Sequence, residues 1–573
     1  MSADDTRLRI VKEQQREATD KWANWETESK ESFEFAHNQQ WKPDIKAKVE
    51  GEGRPAYTFN EISGALKLVI GYQRQNRQDI KIVGVEGGDD LTADIMTQLI
   101  KNITSKQNGE YKFSDMFSDG VKCSRGFLEL EIDYDQDILN GMIVFHHRSP
   151  FEIKIDPYSV EYDMSDANYL IREIPNLTKD MLLSRFPDQK DKVIEATATK
   201  DPDGEKNHWR LVEDWYKEWK IVKFLIDTGS GQVTELGQTK EAEDKKLLKV
   251  SKGLQIYKRR VPLIKVASVV GDTLLQDDFS PYYPELKVFP FIPYMSDWSP
   301  SAIKLEHRCQ GMVNALKDPQ RLINKQTSMG LHIVNTSANA PWIGDDDALD
   351  EDGEKNLKLF GSRPGIYIKK KKGSELRREP PVPGTLSQFI LTDRGSDMIK
   401  RISGIDTNLL AQTEMKSMSG RALAIRQQQG ITAIQEVFDN LRLTRHILGK
   451  VLIGLIRKSY TPEKVVRICG EKKVTAEQAE EILNNTDMTQ YDIAIDEISS
   501  SPTMRAANFL TMMEMKEKGF QSITEEDLIE ASDLPNKAKI LARIREGQEE
   551  GQRPLSIGEQ LNQGKQPNQN KGG

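Results

Sequence analysis

The sequence predicts an α+β protein built from several domains, and three observations support that fold class. The chain has 573 residues, whereas a single hydrophobic core stops growing at roughly 250–300 residues. Segments that alternate as β-strands do are found in the first half, most clearly at residues 127–132 and 142–145. Helical periodicity dominates after Ser299, so a mixed α+β first half precedes a largely helical second half.

The first elements are predicted by local signals. Trp22, Trp25 and Phe33 recur at near-helical spacing, which indicates an amphipathic N-terminal helix. Asn60 is a suitable N-cap for a helix that runs to about Arg77. A strand and two helices are expected next, at residues 79–85, about 91–104 and about 111–123.

Antiparallel strands are predicted over residues 126–156, because the turn-forming pair Asn140-Gly141 separates the two alternating arms. Further β-rich segments lie at residues 209–226 and 261–275. The sheets of the protein are therefore expected before residue 295.

The largely helical part is expected to open with Ser299 as the cap and Pro300 in the first turn of a helix that runs toward about Gln326. Pro319 should kink or break that helix. Residues 335–385 then form an insert rich in Gly, Pro and charge. Within it we expect an acidic loop at residues 345–354 and a strand-like arm at residues 365–372.

After the insert, the pattern predicts a helix at about 386–401, a broken loop at about 403–420 and a long helix at about 421–458. Apolar residues three and four apart give the long helix a seam for a partner element. Helices at 503–518 and 524–546 follow. Residues 549–573 are almost free of apolar side chains and are expected to be disordered.

Composition limits the class of protein. Charged residues make up 30% of the chain and the formal net charge is −8, which disfavours a protein that binds DNA by clustered cationic attraction. Cys123, Cys309 and Cys469 are too far apart to suggest a disulfide framework, so folding in a reducing compartment is expected. We expect no secretion signal and no membrane span, since the start of the chain is polar and the longest apolar run, residues 451–456, is too short.

Motifs of catalysis and of cofactor binding are absent from the sequence. It contains no phosphate-binding loop of the G-x-x-x-x-G-K-[ST] type, no H-E-x-x-H and no C-x-x-C. His146 and His147 are adjacent, so on a strand they point to opposite faces and cannot easily share a metal. The acidic loop does not fit the calcium-loop spacing. We therefore predict neither catalytic residues, nor a metal site, nor a cofactor.

The insert carries the strongest local charges. Lys369, Lys370, Lys371 and Lys372 form a basic run, and Asp345, Asp346 and Asp347 begin the acidic loop. Runs of like charge are often only solvated. For these lysines, a solvated face is about as well supported as the alternative, a channel rim or docking surface.

Four separated segments suggest a family. They are RPAYTFNEISGALKLVIGYQRQNR at 54–77, DPYSVEYDMSDA at 156–167, GMVNALKDPQRLIN at 311–324 and SGRA at 419–422. In their order and spacing, together with the helix–insert–helix–loop–long-helix pattern, they resemble portal proteins of short-tailed phages, the head-to-tail connectors of the Salmonella podophage type.

The resemblance implies a portal fold and a structural function rather than an enzyme. Such a chain would form a ring, dodecameric in the family, through which double-stranded DNA is packaged and ejected. Its implied partners are further copies of itself, capsid and scaffolding proteins, the terminase, tail adaptors and DNA of any sequence, with no membrane. Its implied place is the unique vertex of the virion capsid, after assembly in the host cytoplasm.

The family pattern also implies a division of the chain into regions. These are a wing at 1–295, a stem helix at 299–330, a clip at 335–385, a second stem helix at 386–401, a tunnel loop at 403–420, the long helix and the rest of the wing at 421–519, crown helices at 520–548 and the disordered tail at 549–573.

Two sets of site residues are expected from this division. Lys400 and Arg401 would lie near the DNA path, and the tunnel loop would contribute Leu409, Leu410, Met415, Lys416 and Met418. The clip would dock partners through Asp345, Asp346, Asp347 and Lys369, Lys370, Lys371, Lys372.

Two other classes of protein remain open at this point. A different structural phage protein, such as an adaptor or a capsid component, would also lack catalytic motifs, although adaptors are much shorter chains. A nuclease or another DNA-processing enzyme could draw a carboxylate cluster from the 89 Asp and Glu residues.

Overall fold

The computed structural model describes residues 3–404 and 434–519, apart from short gaps of which 237–252 and 485–492 are the longest, and a few positions between 524 and 540. The helices of these residues, numbered α1 to α14, are Ala3–Ala36, Pro43–Gly51, Ile62–Gln75, Asp90–Lys106, Gly109–Cys123, Lys179–Arg185, Lys190–Glu195, Met312–Ala338, Glu351–Phe360, Thr385–Ser403, Gln435–Ser459, Pro462–Cys469, Ala476–Asn484 and Pro502–Glu517.

The described strands form four antiparallel sheets, which confirms the α+β class. In chain order, β1 to β14 are Asp79–Gly84, Gly126–Asp133, Met142–Arg148, Ile153–Ile155, Tyr169–Leu177, Thr199–Lys200, Asn207–Asp227, Val233–Leu236, Leu254–Val270, Thr273–Phe279, Phe291–Tyr294, Trp342–Gly344, Leu376–Arg378 and Ile493–Ile498. A seven-stranded sheet has the order β10-β9-β7-β5-β4, with β6 and β8 both paired to β7. The other sheets are β11-β2-β3, β1-β14 and β12-β13.

Helix α1 joins two parts of the molecule. Its first half packs Val11 and Ala18 on the seven-stranded sheet. Its second half places Trp22, Trp25 and Phe35 in the main core, which also takes side chains from α3, α4, α5, α11 and the three-stranded sheet. At about 1.5 Å per residue a helix of this length spans about 50 Å, so one rigid element connects the sheet to the helical part.

Several local predictions are confirmed. Helix α3 begins two residues after Asn60, whose Oδ1 accepts a hydrogen bond from the backbone N of Ser63 at 3.0 Å, so the predicted cap is present. The strand expected at 79–85 is β1, the helices expected at about 91–104 and 111–123 are α4 and α5, and the helix expected at about 386–401 is α10.

The prediction that Ser299 caps a helix is wrong. Helix α8 begins at Met312, thirteen residues later, and it continues to Ala338. Between them, residues 305–308 form only a short 3-10 turn. Helix α8 also continues through Pro319, so the expected break is absent there.

Tertiary contacts explain the late start of α8. The Ser296 hydroxyl donates to the Gly120 carbonyl at 2.8 Å, which holds the chain against the end of α5. Gly311 lies so close to Lys122 that a Cβ at residue 311 would be 2.2 Å from the Lys122 carbonyl oxygen. These contacts need an irregular path, and they outweigh the local helix signals at Ser299.

The insert also differs from its prediction. Residues 366–371 are not a strand, and the insert instead pairs two short strands, β12 and β13, with Trp342 opposite Arg378. The acidic segment is a loop only as far as Asp350, whose carboxylate caps α9 by accepting from Gly353 N at 2.9 Å. Because the Asp350 carboxylate caps the backbone N–H of Gly353, a helix begins where the sequence predicted a loop.

The apolar seam predicted for the long helix is present in its described part, α11. Leu441, Leu448, Leu452 and Leu455 are buried there in the main core of the same chain. Over the described residues 435–459, the seam therefore packs inside the subunit.

Some predictions fall outside the described residues. These are the loop at 405–420, the first part of the long helix at 421–433, most of the helical region at 520–548 and the tail at 549–573. Across the part of the chain that is described, no helix is long and apolar enough to cross a membrane.

Candidate stem and docking surfaces

Helices α8 and α10 pack side by side and run antiparallel. Thr327 and Thr392 face each other with their hydroxyls 3.2 Å apart. A Cβ added to Gly330 on α8 would lie 3.6 Å from Gln388, near the start of α10, whereas one added to Gly395, further along α10, would lie 2.6 Å from Ile323. Gly395 therefore lets the two backbones approach closely where a larger residue would clash.

The first half of α8 is fixed to the rest of the chain by buried amides. Gln320 is fully buried, and its Oε1 accepts from the backbone N of Glu61 at 3.0 Å, while its Nε2 donates to the Phe59 carbonyl at 2.6 Å. One turn later, Asn324 accepts from Phe59 N at 2.9 Å and donates to the Gln40 side chain at 2.6 Å. These side chains bond to backbone N–H and C=O groups of the segment before α3, as a neighbouring strand would, and so hold that segment in place.

Ser328 adds a third member, because its hydroxyl accepts from the backbone N of Tyr57 at 3.1 Å. Gln320, Asn324 and Ser328 thus form a row at i, i+4 and i+8, which we call the amide ladder. Residues four apart lie on one helix face, so the whole row points at the segment from Tyr57 to Glu61.

Charges reinforce the same contact. Lys317 donates to the Glu28 carbonyl at 2.7 Å and lies 3.1 Å from the Glu31 carboxylate, which Arg321 also contacts at 2.6 Å. Burial lowers the pKa of Lys317, although Glu31 opposes this shift. Burial would raise the pKa of Glu31, but hydrogen bonds and charges from Lys317 and Arg321 outweigh it and lower that pKa. Lys317 and Arg321 on α8 therefore contact α1 through Glu31.

The amide ladder was not predicted as a functional feature, although Gln320 and Asn324 lie in a segment that carries the family resemblance. The available signal was a row of uncharged polar residues on a helix face whose neighbours, Leu316 and Ile323, are apolar and buried. Buried polar groups need partners, so such a row indicates contact with an irregular backbone segment.

The insert brings its acidic and basic arms to the same end. Asp345 exchanges two hydrogen bonds with Glu375: the Asp345 backbone N donates to the Glu375 carbonyl at 3.0 Å, and the Asp345 carboxylate accepts from Glu375 N at 2.7 Å. Lys371 N donates to the Ala348 carbonyl at 3.0 Å. The two arms, which are more than twenty residues apart in sequence, are therefore held side by side.

The charged side chains of these arms face solvent. Asp345, Asp346, Asp347 and all four residues of the basic run, Lys369 to Lys372, are exposed. Lys370 donates to the Ser374 carbonyl at 2.9 Å, and within the described part of the chain no ion pair joins the basic run to the three aspartates. The end of the insert thus presents two adjoining patches of opposite charge, which we call the clip patches.

Lys400 and Arg401 lie in the last turn of α10, and both are exposed. Cations at a helix C-terminus are stabilised by the helix dipole, so this end of the helix pair carries positive charge. The other predicted members of that site, Leu409, Leu410, Met415, Lys416 and Met418, lie outside the described residues.

Among the described residues, no group of three or more His, Cys, Asp or Glu side chains could hold a metal ion. His146 pairs with Glu131 at 3.4 Å, whereas His147 contacts Asp119 at 2.8 Å. The two imidazoles therefore have different partners, as their opposite orientation on a strand predicts.

Comparison with protein families adds an independent finding. The family model described as phage P22-like portal protein matches residues 12–572, which is nearly the whole chain. No individual curated protein matches the chain.

Proposed function

The chain belongs to the phage P22-like portal protein family and is a head-to-tail connector of the virion, and from this premise we propose which of its parts serve the connector. Portal proteins are structural, ring-forming proteins that sit at a capsid vertex and bind DNA and the terminase.

The ring is proposed to be a dodecamer whose central channel carries double-stranded DNA during packaging and ejection. Helices α8 and α10 would be its stem, the insert between them its clip, and the sheets with the surrounding helices its wing. One observation carries this assignment: two antiparallel helices are joined at one end by a small insert, and the amide ladder fixes α8 to the rest of the chain. Such a helix pair can project from the wing without losing its orientation.

The clip patches are the proposed docking surface for the terminase during packaging and for tail adaptors afterwards. Adjoining patches of opposite charge attract a partner and also fix its orientation. Such charges act mainly on the rate and specificity of association. Since the patches are not neutralised by each other, their charge is available to a partner.

The loop at 403–420 is proposed to project into the channel, with Lys400 and Arg401 near the DNA path. Leu409, Leu410, Met415 and Met418 would pack on the neighbouring subunit, and Lys416 would face DNA. The exposed cations at the end of α10 support this part of the proposal.

The docking assignment is tested by reversing the four charges of the basic run, Lys369 to Lys372, to Glu. Rings should form as in the wild type, whereas binding of terminase and adaptor should weaken at least tenfold at low salt, where exposed charges are least screened. A matched control reverses three exposed wing lysines, Lys42, Lys46 and Lys48, and should bind both partners normally. Normal binding by the clip variant would disprove the assignment.

The channel assignment is tested by deleting residues 406–416 and joining the ends with a short Gly linker. We expect rings that assemble normally but package less DNA or fail to retain it. Packaging and retention at wild-type levels would reduce the loop to a simple connection between helices.

DNA binding by assembled rings supplies a third test. A conduit whose chains each carry a net charge of −8 should bind linear duplex weakly and without sequence preference at physiological salt. Nanomolar, sequence-specific binding would contradict a channel through which DNA slides.

A further inference from the structure

Strands β7 and β9 extend together as a ribbon beyond the ends of their neighbours β5 and β10. Strands β5 and β10 cover only the base of this extension: β5 pairs with β7 no further than Tyr216, and β10 pairs with β9 only from Lys265 onward. Beyond this point, residues 219–227 pair with 254–262, and we call these residues the wing ribbon. At about 3.3 Å per residue it is about 30 Å long.

The wing ribbon lacks a core of its own. None of its residues belongs to the three hydrophobic clusters formed by the described residues. The short strand β8 pairs with it over residues 223–226 only. Strands that do not pack a hydrophobic face on another layer are marginally stable in water, so contact with another surface would stabilise the ribbon.

One face of the ribbon has the composition of a protein interface. Trp219 and Ile221 project from the same face and are 55% and 62% exposed. The register places Pro262 opposite Trp219 and Arg260 opposite Ile221, so these four side chains share that face. Tryptophan and arginine are among the residues most enriched where proteins bind each other tightly.

The charge of the ribbon is opposite to that of the molecule. It contains one acidic residue, Asp227, and five basic residues, in a chain whose formal net charge is −8. The five are Lys220, Lys223, Lys258, Arg259 and Arg260. The surface of another copy is therefore, on average, complementary in charge to the ribbon.

We propose that the wing ribbon is an arm that packs its Trp219 face on the neighbouring copy of the chain. This inference rests on the ring of the proposed function. The apolar seam of α11 is buried inside the subunit, so the ring needs exposed apolar contacts elsewhere, and the ribbon supplies them. DNA would satisfy the cations but would offer phosphates, and no apolar surface, to Trp219 and Ile221.

The neighbour is expected to cover the face of the ribbon and not to add a strand to its edge. Beyond β10, strand β9 carries Arg259, Arg260 and Pro262. Charged residues and proline are typical of edges that resist pairing with another strand. Side-chain packing on the face therefore carries the contact.

The test places a photo-cross-linking benzophenone amino acid at Trp219. Tyr257 is the matched control, because it is 56% exposed on the same ribbon but pairs with Phe224 on the opposite face. Irradiated rings should yield covalent dimers of the chain from position 219 and several-fold fewer from position 257. Cross-links to DNA or to a different protein, or equal yields from both faces, would overturn the proposal.

A second experiment measures assembly. Trp219→Ser combined with Ile221→Ser should raise the concentration needed for ring formation at least tenfold, whereas Tyr257→Ser should change it less than twofold. Melting of the unassembled subunit should be unaltered, since neither residue belongs to a core. If wild-type chains form no ring, both this inference and the proposed function are wrong, whereas rings that assemble unchanged from the double variant contradict only the role of the ribbon.

Discussion

The proposed wing buries a cluster of charged side chains, whereas the charged side chains of the proposed clip are exposed. In the wing, Arg172 lies 2.7 Å from Glu129 and 3.3 Å from Glu213, and each of the three side chains is at most 5% exposed. In the clip, Asp345 and its neighbours and the basic run face water. The same residue types thus occur in two opposite environments.

The difference lies in what each set of charges can do. A buried ion is costly unless it is paired, so the wing charges fix geometry: Glu129 belongs to the three-stranded sheet, and Arg172 and Glu213 belong to the seven-stranded sheet. Arg148 and Arg185 complete the network at 2.6 and 2.7 Å. Exposed charges are screened and contribute little to folding, which leaves the clip charges available for partners.

The largest expected effect comes from breaking the buried network. Arg172→Met removes the cation between two buried carboxylates and should destabilise the wing by about 3–5 kcal/mol. Urea unfolding of the unassembled subunit, followed by tryptophan fluorescence, would measure it. Lys369→Met in the clip is the control. If both variants unfold at the same urea concentration, the buried charges of the wing contribute no more to stability than the exposed charges of the clip.

A smaller loss is expected at the amide ladder. Gln320→Ala leaves the Glu61 N–H and the Phe59 carbonyl without their partner, which should cost about 1–3 kcal/mol. Asp318→Ala, on the exposed side of the same helix, should cost much less. Hydrogen exchange of the segment from Tyr57 to Glu61 should accelerate only in the Gln320 variant, and protection that persists there would show that the ladder does not hold the segment.

Asp214 provides a pH-dependent case within the wing. Burial, opposed by the charge of Arg7, raises the pKa of Asp214 to about 7. Between the ordinary aspartate pKa near ~4 and that value, the folded protein therefore binds more protons than the unfolded chain, and this group's contribution to stability falls as the pH rises. The slope is at most about 1.4 kcal/mol per pH unit.

Asp214→Asn should remove that slope, since the amide does not titrate. Melting temperatures of variant and wild type, compared from pH 4 to 8, should therefore diverge in favour of the variant as the pH rises. A constant difference across this range would mean that Asp214 remains ionised throughout.

The smallest effect is expected in the clip. Reversal of all four charges in the basic run should change the stability of the subunit by about 0.5 kcal/mol or less, because exposed positions away from caps and cores rarely contribute more. A large shift in the melting temperature would show that the clip charges support the fold, and it would weaken their assignment to docking.

Local signals predicted the elements that local interactions create. The cap at Asn60 needs only the backbone of Ser63, and the alternation at residues 126–133 and 142–148 needs only two adjacent strands. The acidic and basic runs of the clip were also readable, since their residues are consecutive. The placement of the two runs side by side could not be predicted in this way, because it depends on the hydrogen bonds between the two arms of the insert.

The sequence alone therefore determined the α+β class, most element positions and the charged runs of the insert. Four separated segments also indicated the family. The tertiary structure decided the late start of α8 at Met312, the burial of the α11 seam inside the subunit, the partners of Gln320 and the extension of the wing ribbon beyond β5 and β10. The physical reason is range: caps and periodicity depend on neighbours within a few residues, whereas contacts such as Gln320 with Glu61 join positions more than 250 residues apart, and only the folded chain brings them together.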